Sequence, residues 1–226
     1  MTIPAPVVDY RNFQLKRINE PEYKHLWWLL FFPIYWLRYP LIEALNPASV
    51  YHPIHCPLDD RIPFSEWFII PYALWMVSMV GFCIYTMLYD VDVFKWYMKF
   101  LTVSMTISGI IFLVYPSCQN LRPAEFPRDN LLTRIVAFLY RADTNTNVFP
   151  SEHAIGSIAV WLAAIRCKRL RAPGKIAAIS ILMLLICFST VFLKQHSILD
   201  VIAAVPVCAV SALLCHRKKA SPVCLP

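Results

Sequence analysis

Phe149-Pro150-Ser151-Glu152-His153 is the stretch on which the reading of this chain turns. It is a polar turn that opens an apolar segment. Ser151 stands at an N-cap position, so free backbone N–H groups gather beside it and make an anion site. His153, in the same first turn, adds a proton donor there. Two other polar stretches pair with this one: Arg122-Pro123 upstream, and Lys194-Gln195-His196-Ser197-Ile198-Leu199-Asp200 downstream.

Composition sets the class. The 226 residues are 58% hydrophobic and 15% charged, with a mean hydropathy of +0.53; soluble domains carry about 25% charged residues. The expected fold is all-α: a polytopic membrane protein with six transmembrane helices in one bundle. Residues 1–25 read as a cytoplasmic N-terminal segment without the short apolar core of a signal peptide. Residues 26–215 read as the membrane domain and 216–226 as a cytoplasmic tail. The eight cysteines include no CxxC pair, which indicates neither a zinc site nor a disulfide framework.

Six apolar segments approach the length needed to cross about 30 Å of hydrocarbon. They run over about 26–45, 66–89, 96–115, 151–166, 175–193 and 197–215, the fourth being the shortest. The long connection 116–148 is polar, and its residues 131–140 are expected to form a short surface helix. With the N-terminus inside, fourteen of the 21 basic residues fall on the cytoplasmic side, as the positive-inside rule requires. The net charge of +7 is therefore read as topology and not as nucleic-acid binding. All three polar stretches then face outward. The compact chain, with no glycosylation sequon on the outer loops, is read as a bacterial plasma-membrane protein.

His196 and Asp200 are four residues apart and share a helix face. A carboxylate accepting one imidazole N–H fixes the tautomer and leaves the other nitrogen free, which is what a nucleophilic histidine needs. His153 suits a general acid and then a general base. Arg122 and Lys194 suit phosphate oxygens, as a planar fork and a compact charge. Ser151 caps its helix and has a hydroxyl within reach of the same anion. Glu152 favours the helix N-terminus electrostatically. Each residue also has a plain structural reading as a cap, a solvated loop side chain or a snorkelling cation. His52, His55, Asp59 and Asp60 match no metal-ligand spacing and read as exposed loop side chains.

Arg-Pro, then Pro-Ser-x-His at a helix start, then His-x-x-x-Asp before the last span, together resemble the type 2 phosphatidic acid phosphatase superfamily, which includes vanadium haloperoxidases. The likeness covers about residues 115–204, with motifs at 115–123, 149–153 and 189–200. Tyr115 stands where the family has lysine, Glu152 where it has glycine, and Thr190, after the matching Ser189, where it has arginine. These departures resemble the branch of inositolphosphorylceramide and sphingomyelin synthases.

The resemblance implies a mechanism that needs neither metal nor cofactor. His196 attacks phosphorus with Asp200 behind it, and His153 protonates the leaving oxygen. Arg122, Ser151, Lys194, Glu152 and Tyr115 are the positions expected around the phosphate. The implied function is that of a lipid-phosphate phosphatase acting on a membrane lipid such as phosphatidate or a polyprenyl phosphate. A phosphotransferase with an alcohol acceptor and a non-enzymatic binder or transporter of anionic lipids are the alternatives.

Overall fold

The computed structural model describes residues 5–46 and 51–216. Eight helices carry the fold: α1 Phe31–Leu45, α2 Pro57–Arg61, α3 Ile69–Tyr89, α4 Val91–Val114, α5 Leu131–Ala142, α6 Glu152–Ala164, α7 Pro173–Phe192 and α8 Ile198–Cys215. Two short strands, β1 His52–Pro53 and β2 Ser117–Cys118, pair in parallel. Local chemistry sets the starts: the carboxylate of Asp90 accepts from Val93 N–H at the α3–α4 turn, Asn130 and Thr133 cap α5 reciprocally, and Ser197 and Asp200 do so for α8.

Among the described residues, four helical stretches are long and apolar enough to cross a membrane: Glu66–Tyr89, Val91–Val114, Pro173–Phe192 and Ile198–Cys215. The other two expected spans are shorter as α-helix. The first apolar segment begins as a 3-10 helix over Lys24–Leu30 and becomes α-helical only at Phe31. α6 has thirteen residues, roughly 20 Å at 1.5 Å per residue. Its role is central: Ala154, Gly156, Ala159, Ala163 and Ala164 are buried and let α3, α4, α7 and α8 pack close around it. The other side of this close packing is the bulky core of α4, where Phe94, Tyr97, Met98, Phe100 and Leu101 are fully buried.

Large apolar side chains stay exposed on the outward faces, among them Trp67 in the turn before α3, Ile70 and Val77 on α3, Ile181, Leu184 and Phe188 on α7, and Ile202, Val205 and Leu213 on α8. Contiguous apolar surface of this kind fits a lipid environment. α5 is the expected surface helix and packs on α3 and the turn before it.

The two ends of the bundle differ in charge. At one end Val7 N–H donates to Leu88 O, Arg169 lies over the Tyr89 ring, Arg166 lies over Trp96, and Lys99 reaches Leu214 O. Arg217, Lys218 and Lys219, which the topology count also used, lie outside the described residues. At the opposite end the loops before α3, α5 and α6 form a cap. β1 pairs β2, Cys118 bridges Thr146, and Ser117 Oγ accepts from the N–H groups of Val148 and Phe149. The cap holds all three polar stretches.

Candidate active site

The centre of the site is the junction of α6 and α8. Ser151 N–H donates to Asp200 O at 2.9 Å, so the start of α6 is fastened to the first turn of α8. Ser151 is fully buried, and its Oγ accepts from Ala154 N–H; it is the N-cap. His196 Nδ1 lies 3.2 Å from Asp200 Oδ2, and Ser197 N–H donates to the same oxygen at 2.9 Å. An ionised Asp200 therefore selects the Nδ1–H tautomer of His196 and leaves the Nε2 lone pair free. His153 is the facing ring, with centroids 5.5 Å apart. Trp75 and Tyr72 pack against His153 at 4.2 and 4.6 Å between centroids.

Both histidines line a cavity of about 600 Å³. Its walls are aromatic: Tyr35, Trp36 and Tyr39 from α1, and Tyr72 and Trp75 from α3. Its floor is polar, built from Asp143, Thr144, Thr146, Asn147, Glu152 and Gln195. A cavity with apolar walls and a few convergent polar groups is the usual form of a small-molecule site.

The structure brings His153, His196, Asp200, Ser151 and Glu152 together and places Arg122, Lys194 and Tyr115 elsewhere. Arg122 donates to Gln195 Oε1, Tyr140 O, Asp143 O and Thr144 O, at 2.6–3.0 Å, and stacks on Tyr140. It clips the end of α5 to the turn before α8, and burial lowers its pKa against the pull of Asp143. Lys194 has a left-handed backbone (φ 55°) and is buried, with Nζ donating to Asp59 O at 2.7 Å. Burial lowers its pKa, opposed by Asp59 and Asp60. Tyr115 is 41% exposed and lies flat on His52 at 4.5 Å. Thr190, at the family's arginine position, is fully buried and bonds within α7. His55 pairs with Asp60 at 2.9 Å.

As a result, among the described residues no lysine or arginine lines the cavity. Cations stand immediately behind it instead. Arg38 Nη2 meets Glu152 Oε1 at 2.5 Å, and Tyr35 Oη donates to Glu152 Oε2 at 2.8 Å. Arg38 Nη1 donates to Met105 O, and the guanidinium sits where Gly109 has no side chain to block it. Asp143 lines the cavity beside Tyr72 and Gln195. Burial raises its pKa, against the charges of His196 and Arg122.

Sequence reasoning missed Arg38 and Gln195 as parts of the site, took Asp143 for a loop hydrogen bonder, and took Asp59 for an exposed residue. Arg38 had a usable signal, because an arginine inside an apolar membrane segment is expensive unless it has a partner. Gln195, Asp143 and Asp59 carried no signal beyond polarity in loops.

The histidine pair, its carboxylate and the cap coincide with a family match: the model of the PAP2 superfamily matches residues 96–221. The chain belongs to the PAP2 superfamily. No curated protein and no solved structure matches it. Membership in the PAP2 superfamily implies phosphatase or phosphotransferase activity on lipid phosphates.

Proposed function

We propose that this PAP2 protein is a lipid-phosphate phosphatase that hydrolyses a phosphomonoester through a phosphohistidine, at the extracytoplasmic end of the bundle. The observation that carries the reading is the His196–Asp200 pair facing His153 inside one cavity. In the first step His196 Nε2 attacks phosphorus, the bond to the lipid oxygen breaks, and protonated His153 gives its proton to the departing alkoxide. In the second step water attacks phosphorus, the N–P bond breaks, and His153 takes the proton from that water. Asp200 holds the Nδ1–H side of His196 throughout and stabilises the charge that forms on the ring.

With no lysine or arginine among the described residues that line the cavity, the equatorial oxygens face His153, protonated for the first step, and the first turn of α6. Arg122 adds positive potential from behind Gln195, and Arg38 offsets the charge of Glu152. The aromatic walls suit the first methylenes of a phosphatidate or polyprenyl chain. The basic end of the bundle, opposite the site, supports the outward orientation.

A second reading is favoured by Asp143. A carboxylate in the cavity wall accepts the hydroxyl of an alcohol and repels a second phosphate, so an alcohol acceptor in place of water fits the polar floor. The product separates the two. Purified protein, given a lipid phosphate in detergent, is expected to release inorganic phosphate. Transfer of the phosphoryl group to an added alcohol lipid, giving a new phosphomonoester without phosphate release, would replace the phosphatase reading by the transferase one.

A further inference from the structure

The turn that carries His196 is five residues long, Leu193 to Ser197, and it is irregular: Lys194 has φ 55°, and the N–H groups of Gln195 and His196 share Thr190 O. From outside it is held by Arg122 at Gln195, by Tyr140 at Leu193 and, on both sides of His196, by Asp59. Asp59, fully buried in α2, accepts from Ser197 Oγ at 2.6 Å and from Ile198 N–H at 2.9 Å. Its backbone oxygen accepts from Lys194 Nζ at 2.7 Å. The nucleophile's turn is therefore gripped on both sides of His196 by a residue about 140 positions earlier in the chain.

We infer that Asp59 is a positioning residue for His196, an inference that rests on the reading of His196 as nucleophile. The grip is stiff at its own end. Cys56 N–H donates to Asp59 Oδ2 at 2.8 Å, Pro57 opens α2, and Ile54 N–H ties the loop to Cys118 O at 2.8 Å. The carboxylate also sits at the N-terminus of α8, where negative charge is favoured. Burial pushes the Asp59 pKa up, but hydrogen bonds from Ser197, Ile198 and Cys56 outweigh it and hold the carboxyl below its ordinary value, so it stays ionised at neutral pH. An ionised acceptor keeps Ser197 Oγ as donor, and Ser197 N–H then remains aimed at the Asp200 oxygen that orients His196. Asp59 touches neither the cavity nor the phosphate; it acts through the turn.

The test uses full-length protein in detergent with a phosphatidate substrate, and ¹⁵N-histidine spectra of the same samples. Asp59→Ala is expected to lower kcat about 100-fold, the cost of an ångström of misplacement, with KM within about threefold. Asp59→Asn, which keeps one acceptor oxygen, is expected to recover about tenfold of that loss. The His196 resonance is expected to pass from a single Nδ1–H tautomer to an exchanging mixture in Asp59→Ala. If Asp59→Ala does not fold, Asp59→Asn and Ser197→Ala carry the same expectation. Unchanged kcat, or a kcat loss with the His196 tautomer intact, overturns the inference. Inactive wild-type protein whose His196 tautomer still depends on Asp59 would support the clamp and count against the phosphatase reading.

Discussion

Gly156→Ala tests how His153 is held. Gly156 lies one turn into α6, under the Trp75 indole. A Cβ there meets Met79 Sδ at 2.6 Å, Trp75 Nε1 at 2.7 Å and Trp75 Cε2 at 3.3 Å, where ordinary contacts begin at about 3.5 Å. Met79 can turn its thioether aside. Trp75 is only 8% exposed and is a rigid ring trapped between Gly156 and His153, with 4.2 Å between ring centroids. Its edge must therefore retreat by roughly 0.8 Å, toward the acid–base histidine. Alanine gains about 1 kcal/mol over glycine as a helix former, while overpacking costs about 1–3 kcal/mol. The net stability loss is then modest, about 0–2 kcal/mol. Catalysis pays more: if about half of the displacement reaches His153, kcat falls on the order of tenfold, given ~10²-fold per ångström. Trp75→Phe in the same chain removes the clashing edge, and the double variant is expected to regain most of kcat. Initial rates on a lipid phosphate, with thermal unfolding in the same detergent, read both effects. Gly156→Ala with kcat within twofold of wild type would refute the claim that Trp75 seats His153.

The remaining predictions concern the residues around the cavity. Arg122→Ala leaves Gln195 Oε1 and three carbonyls without their donor and is expected to destabilise the protein by about 3 kcal/mol, with earlier proteolysis at 143–149; a raised KM with unchanged stability would restore it as a direct phosphate ligand. Tyr115→Ala removes a ring stacked on His52 away from the cavity, and kcat/KM is expected to stay within about twofold. Asp59 has a depressed folded pKa, so its stabilisation is complete above the unfolded value of about 3.9 and is lost as pH falls through the folded value. The difference in thermal midpoint between wild type and Asp59→Asn is expected to be flat above about pH 5 and to shrink below about pH 4; a gap that widened with acid would reverse the sign.

Much of the architecture was legible because period and length suffice for it. The 66–89 segment appears as the stretch Glu66–Tyr89, and the 131–140 pattern appears as α5. The start of α6 was readable from Ser151 because a cap is local chemistry. Six full spans were not legible, since hydropathy does not distinguish α-helix from the 3-10 start at Lys24 and does not show that the small residues of α6 make it a central packing helix. That His153, His196 and Asp200 would lie together was readable because each stands in the first turn of a helix or just before one. The cations were not. Whether Arg122 and Lys194 meet a phosphate or a carbonyl depends on where Gln195, Tyr140 and Asp59 lie, and these lie 18 to 135 residues away in the chain. Asp59 read as exposed because its loop is rich in proline and histidine; it is buried because its partners, Ser197 and Ile198, arrive from the other end of the chain.

The most direct test of the mechanism is to trap the intermediate. Full-length protein mixed with ³²P-labelled lipid phosphate and quenched in alkali is expected to carry label that survives base and is lost in acid, as a phosphoramidate does. The label is expected on the peptide containing His196 and to be absent from folded His196→Ala, which should also show no turnover. Label on another residue, or turnover in His196→Ala, would contradict the account.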